Sequence, residues 1–201
     1  MGHVRRAIIF VVICFVLFGL AYPLAGTGVA QLFFKHQADG SITANGSTLI
    51  GQNWESTRWF HGRPDDFGPY HATAKTKQQA DVSGDNPYEA NGVLGESGAT
   101  NYGPRSKTLV QYTRELVVWW HAHGVQPTSD LVTTSGSGYD PDISPQDAYV
   151  QIPMVSQATG ISPARLRSLI ASQVQGAQLG FLGAPYIVVL NLNEALAKLE
   201  G

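Results

Sequence analysis

Between Arg6 and Lys35 no residue carries a formal charge. The run from Ala7 to Phe34 exceeds the roughly 20 apolar residues that a bilayer-spanning helix needs. Arg5 and Arg6 stand just before it, with His3 as a third possible cation. An excess of Lys and Arg marks the cytoplasmic flank of a spanning segment, so residues 1–6 are expected inside and residues 35–201 outside. A cleaved signal peptide is the competing reading, because Pro23 follows the core Ile8 to Leu20 and Gly28-Val29-Ala30 offers small residues to a peptidase. Apolar character resumes after Pro23 with Leu24, Val29, Leu32, Phe33 and Phe34, and membrane helices tolerate a proline. Length therefore favours a retained single-pass anchor over residues 7–34.

The remaining stretch of about 165 residues suits one domain with its own core. Cys14 is the one cysteine and lies inside the apolar run, so an exported domain has no disulfide and depends on packing. The chain has 13 basic and 15 acidic residues; setting aside Arg5 and Arg6 leaves 11 against 15, about −4 with neutral histidines. That balance argues against nucleic acid, which demands clustered positive charge.

Short strands are expected at Ser47–Ile50 and Arg58–Phe60. From Gly62 to Pro104 the chain is dense in Gly, Pro, Asn and Asp, with turn signals at Arg63-Pro64, Gly68-Pro69, Asn86-Pro87 and Gly103-Pro104. A loop of that length implies a functional surface or an insertion, and Trp54, Trp59, Phe60, Phe67 and Tyr70 at its start imply packing. From Arg105 to His123 the period becomes helical, with Leu109, Tyr112, Leu116 and Trp119 on one face and Gly124 as the stop. A strand is expected at Leu131–Thr134. Ser144-Pro145 and Ser162-Pro163 read as helix starts, and Pro153 interrupts the first of these helices. Leu166, Leu169, Ile170 and Val174 mark the second, which ends near Gly176. The apolar run Tyr186–Leu190 reads as a buried strand, and Asn191 or Asn193 as the start of a last helix. The expected fold is thus one N-terminal transmembrane helix plus a single mixed α/β (α+β) soluble domain, its helices packed on a small sheet.

Three groups of residues could carry chemistry. The segment Leu131–Pro145 runs from a strand through Ser135-Gly136-Ser137-Gly138 into a helix start, which could turn N–H groups toward an anion. It lacks the P-loop and dinucleotide patterns, and a tight connection capped by Asp140 or Asp142 is the plainer reading. Ser135 and Ser137 with Asp140 and a histidine among His61, His71, His121 and His123 supply the inventory for a triad, but neither serine lies in G-x-S-x-G. His121-Ala-His123 diverges on a helix end and lacks further ligands, so no metal is assigned and the pair is read as neutralising a helix C-terminus. Around His61-Gly62-Arg63-Pro64, an Arg fork, an imidazole and a rigid turn could recognise a carboxylate, a phosphate or a partner backbone. Pairing of Arg63 with Asp65 or Asp66 is the equally weighted alternative.

The ordered set of Gly46–Gln52, Trp59–Pro64, Asn101–Pro104, Asp130–Pro145 and Leu179–Gly183, behind a membrane segment, resembles the C-subunit family of the bacterial Kdp potassium-transporting ATPase. Several unrelated motifs occur in one order over nearly the whole chain; Ala99, Tyr102 and Tyr139 are small departures that remove no backbone-setting Gly or Pro. The resemblance implies a non-catalytic accessory subunit in the bacterial plasma membrane. Its implied partners are a channel-like potassium-binding subunit, an ATP-hydrolysing P-type subunit and a small membrane subunit. It also implies a catalytic chaperone that raises the ATP affinity of the hydrolysing subunit, with Ser135, Gly136, Ser137, Gly138 and Gln151 as nucleotide contacts and ATP reached through the partner, no cofactor being tightly bound. Charge asymmetry opposes direct contact, since ATP is cytoplasmic and Arg5 and Arg6 put that loop outside. An outer cap or stabiliser is then expected, with Trp59, His61 and Arg63 as docking residues. The alternative from another class is a membrane-anchored exported hydrolase or small-ligand binding module using Ser135–Gly138.

Overall fold

The computed structural model describes residues 2–52, 54, 56–64 and 102–200. The turns at Gly68-Pro69 and Asn86-Pro87, the side chains of Phe67, Tyr70 and His71, and most of the 62–104 stretch lie outside these residues. The chain divides into two compact units, Met1–Ser47 and Thr48–Gly201.

The first unit is dominated by one continuous helix, Gly2–Phe33, of 32 residues, long and apolar enough to cross a membrane. At about 1.5 Å per residue it exceeds the roughly 30 Å of a hydrocarbon core. It comprises α1 (Gly2–Cys14), a π-helical segment (Phe15–Ala21) and α2 (Tyr22–Phe33). The widened segment has a local cause in Pro23, whose ring would crowd the carbonyl four residues back and which has no N–H to give it. The Tyr22 N–H instead reaches the Leu17 carbonyl, five residues back, so the ladder has changed register before the proline arrives. A short helix α3 (Lys35–Ala38) follows, held by the exposed Lys35–Asp39 pair at 3.0 Å, and then the hairpin β1 (Ile42–Thr43) with β2 (Gly46–Ser47).

Among the described residues the second unit is helical around a two-stranded ladder. Helix α4 (Lys107–Ala122) is capped by Ser106, whose hydroxyl accepts from the Leu109 N–H, and ends at Gly124 with a φ of +73° that favours glycine. Its buried residues are Leu116 and Trp120, with Tyr112 and Trp119 half-buried, so the core stripe is rotated from the expected one, which ended on Trp119. Beyond it come β3 (Asp142–Ile143), α5 (Pro145–Val150), α6 (Ile152–Thr159), α7 (Pro163–Gln173), β4 (Ile187–Val188) and α8 (Val189–Glu200). Strand β3 pairs antiparallel with β4, Asp142 opposite Val188 and Ile143 opposite Ile187. Helix α7 packs against α5, α6 and α8, burying Leu166 and Ile170 completely. One N-terminal apolar helix plus an α+β region is the fold class expected.

Both proline-led helix starts are capped as their sequences imply. Ser144 accepts from the Asp147 N–H while the Asp147 carboxylate accepts from the Ser144 N–H, a closed capping box, and Ser162 accepts from the Arg165 N–H. The strands are shorter than expected. Residues 131–134 form no strand: Asp130–Val132 is a 3-10 turn, closed by the Val132 N–H on the Ser129 carbonyl and by the Thr133 hydroxyl on the same carbonyl. Residues 58–60 do not pair as a strand either, and of 47–50 only Ser47 does. Of Tyr186–Leu190 only Ile187 and Val188 are strand, and the last helix begins at Val189 rather than at Asn191 or Asn193. Short apolar runs do not distinguish strand from helix by periodicity, and here one run serves both.

Candidate functional site

Two segments that the sequence marks separately, 59–64 and 131–145, meet in the second unit. The first passes through the core, where residues 60–61 belong to no strand: Phe60 is fully enclosed and His61 is 1% exposed. Backbone buried without a ladder must find side-chain partners. Two carboxamides supply them. Asn193 Oδ1 accepts from the Phe60 N–H at 2.9 Å and its Nδ2 donates to the Phe60 carbonyl at 2.8 Å. Gln151 Oε1 accepts from the His61 N–H at 2.7 Å and its Nε2 donates to the His61 carbonyl at 3.0 Å. A second donation from Gln151 Nε2 reaches the Asp147 carbonyl at 3.2 Å. Each amide sets one acceptor and one donor against the backbone of residues 60–61, so the pair stands in for the neighbouring strand that they lack.

These contacts place the residues on which functional expectations rest. Gln151 is 0% exposed, with both its amide atoms bound to backbone. The His61 ring is stacked edge-on against Trp119 and Trp120, with centroids at 5.5 and 5.8 Å. Trp59 is half-buried, tilted against Trp54 at 5.4 Å, with the Arg58 guanidinium 4.8 Å above its ring; Arg58 also pairs with Glu200.

Arg63 joins the two segments. Its guanidinium donates to the Thr134 carbonyl at 3.1 Å and the Thr133 carbonyl at 3.4 Å, and lies 3.5 Å from the Asp140 carboxylate. Its acidic partner here is Asp140; Asp65 and Asp66 lie outside the described residues. Within the loop, Ser135 Oγ accepts from the Gly138 N–H at 2.9 Å and Ser137 Oγ from the Tyr139 N–H at 3.1 Å. Asp140 accepts from the Asp142 N–H at 3.1 Å. Gly138 has a φ of +72°, a conformation favouring glycine. The loop's own oxygens therefore take several of the N–H groups that an anion would need. Ser135 is buried, while Gly136 and Ser137 are exposed. An enclosed cavity of about 10 Å³ beside Gly51, Gly62 and Asp140 has room for one water. A shallow groove of about 740 Å³ between Tyr149, Pro163 and Arg167 is not lined by residues 135–138.

The histidines at the end of α4 separate, His121 Nε2 meeting Gln126 at 3.0 Å and His123 Nδ1 donating to the Trp119 carbonyl at 2.8 Å. His123 thus serves a last-turn carbonyl. Among the described residues no group of three or more His, Cys, Asp or Glu is placed to hold a metal ion.

Burial, and secondarily the like charge of Asp140, push the Asp142 carboxyl up to about 6. Below pH 4 this carboxyl is neutral in folded and unfolded chains alike. Between pH 4 and 6 the unfolded chain releases the proton first, so stability falls across that window as pH rises. Asp142→Asn should flatten the melting profile of the full chain in detergent from pH 4 to 7. At pH 7 it should gain about 1 kcal/mol, a figure reduced for screening at a half-buried site. A variant profile parallel to that of the native chain would exclude Asp142 as the titrating group.

Neither Asn193, which the sequence marks only as a possible helix start, nor Trp120 stands out in the sequence as part of this site. A polar, uncharged residue among the apolar positions of α8, between Leu192 and Leu196, is the signal that could have marked Asn193.

A family model described as KdpC: K+-transporting ATPase, c chain, matches residues 4–198. A potassium-transporting ATPase KdpC subunit of Methylobacterium nodulans is 42% identical, covering 99% of this chain and 98% of the relative. The corresponding protein of Bradyrhizobium diazoefficiens is 41% identical over 98% and 96%, and that of Caulobacter vibrioides strain NA1000 40% over 98% and 93%.

Proposed function

The chain belongs to the KdpC family, and from that premise we propose that it is a non-catalytic accessory subunit of an ATP-driven potassium uptake complex. The full-length match carries this reading. ATP hydrolysis then falls to a P-type partner subunit and ion passage to a channel-like subunit, with a small membrane subunit completing the complex. The Gly2–Phe33 helix, the one candidate span among the described residues, crosses the membrane with its Arg5 and Arg6 end in the cytoplasm and the α+β unit outside.

In that orientation the unit stabilises or caps the transport subunits, and any influence on ATP affinity passes through them as a coupling between sites. The bonding around residues 131–151 favours this over nucleotide contact. Gln151 is committed to the His61 backbone, and the serine hydroxyls hold their own loop. Trp59 and Arg63 remain partly accessible and are the docking residues of this reading, whereas His61 is buried against Trp119 and Trp120.

The test combines topology with assembly. With Cys14 replaced by alanine and a cysteine placed at Gly201, an impermeant maleimide should label intact spheroplasts; labelling only after lysis overturns the orientation. The tagged chain should co-purify with the other complex subunits, in lower yield for Trp59→Ala. Recovery of the tagged chain alone overturns the accessory role.

A further inference from the structure

The segment after α7 forms a narrow hairpin whose tip faces solvent. Gln175 and Tyr186 exchange backbone bonds at 2.8 and 3.0 Å, and Gln178 and Leu182 at 2.8 and 2.9 Å. The turn is closed by the Gly180 N–H on the Ala177 carbonyl at 3.0 Å and the Phe181 N–H on the Gln178 carbonyl at 3.2 Å. Leu179, Gly180 and Gly183 take φ values of +54°, +82° and +84°. For Leu179 that conformation is strained, and it persists because the surrounding bonds determine it. Leu179 and Phe181 are 83% and 75% exposed, and Leu182 about half. Isolated apolar residues on a surface need no explanation, but a fixed turn that presents three of them together does.

We propose that the tip Leu179–Leu182 is a preformed knob that docks in an apolar socket on another subunit of the same complex. The proposal rests on the accessory-subunit reading above. Its shape is defined before binding, which lowers the ordering penalty and suits a shaped protein pocket better than a fluid bilayer. From Ser168 to Asn193 no residue is charged, so the hairpin itself offers no Lys or Arg to lipid headgroups, and its tip has no Trp or Tyr of the interfacial kind. Phe181 between two leucines is the kind of compact apolar anchor around which interface energy concentrates.

The experiment places the photoreactive benzoylphenylalanine at Phe181, and separately at exposed Gln157 as control, in the full chain assembled in native membranes. The expected product is an adduct of this chain with one other subunit of the complex, formed from position 181 and not from 157. Leu179→Ser with Phe181→Ser should reduce the chain retained on the complex after washing by about tenfold or more, while melting of the purified chain is unchanged. Adducts with lipid or with a second copy, no adduct above the control, or full retention of the double variant would overturn the knob. If the unmodified chain co-purifies with its partners while position 181 gives no adduct, the knob alone fails. If the unmodified chain does not co-purify, the accessory-subunit reading fails and the knob with it.

Discussion

Replacing Gln151 with alanine is expected to destabilise the second unit by about 4 kcal/mol, lowering its melting temperature by roughly 10 °C for a domain of this size. The reason lies in what the amide leaves behind. The His61 N–H and carbonyl are inside the core and have the Gln151 amide as their hydrogen-bond partner. Orphaning a buried polar group costs about 1–3 kcal/mol, and two are orphaned here. The lost side chain also leaves a void that close-packed neighbours refill only in part. Urea unfolding of the full chain in detergent, followed by tryptophan fluorescence, measures this directly. Gln151→Glu makes the result specific: it keeps an acceptor for the His61 N–H but sets a carboxylate oxygen against the His61 carbonyl, so it too should destabilise. If Gln151 served a nucleotide instead, alanine would leave the unfolding curve in place and weaken only ATP binding.

The carboxamide clamp also shows which parts of this fold a sequence can reveal. Local chemistry was legible. The uncharged run announces the long helix, and Ser144-Pro145 and Ser162-Pro163 announce α5 and α7 because cap and first turn lie within four residues of each other. The site depends on partners far apart in the chain, Gln151 with His61 across 90 positions and Asn193 with Phe60 across 133. No periodicity encodes such pairs. The 59–64 and 131–145 segments each stand out in the sequence, yet that they form one place depends on the Arg63 fork reaching the Thr133 and Thr134 carbonyls. Strands at 58–60 and 131–134 failed for a related reason. Their backbone groups find side chains or local turns where a β-ladder was expected, and hydropathy does not separate those solutions.

Trp120→Ala should lower stability by a further-reaching route, at about 4–5 kcal/mol. Trp120 is fully enclosed, lies edge-on to Trp119 at 4.8 Å and to His61 at 5.8 Å, and donates its indole N–H to the Leu131 carbonyl at 3.0 Å. Truncation removes the largest fully buried side chain and leaves that carbonyl without the indole. Trp120→Phe retains most of the apolar burial but not the N–H, so it should cost only about 1–2 kcal/mol, and the difference between the variants separates packing from hydrogen bonding. The effect should also reach the loop. Leu131 and Val132 form the turn that fixes the Thr133 and Thr134 carbonyls, and these hold Arg63. With the turn unsupported, amide hydrogen exchange at Gly138 and Tyr139, whose N–H groups are held by Ser135 and Ser137, should speed up more in Trp120→Ala than in Trp120→Phe. Unchanged protection there would mean that the loop is held by Arg63 and its own hydroxyls alone. It would then be mechanically independent of the core, and a partner bound at Arg63 could be sensed by the loop without passing through α4.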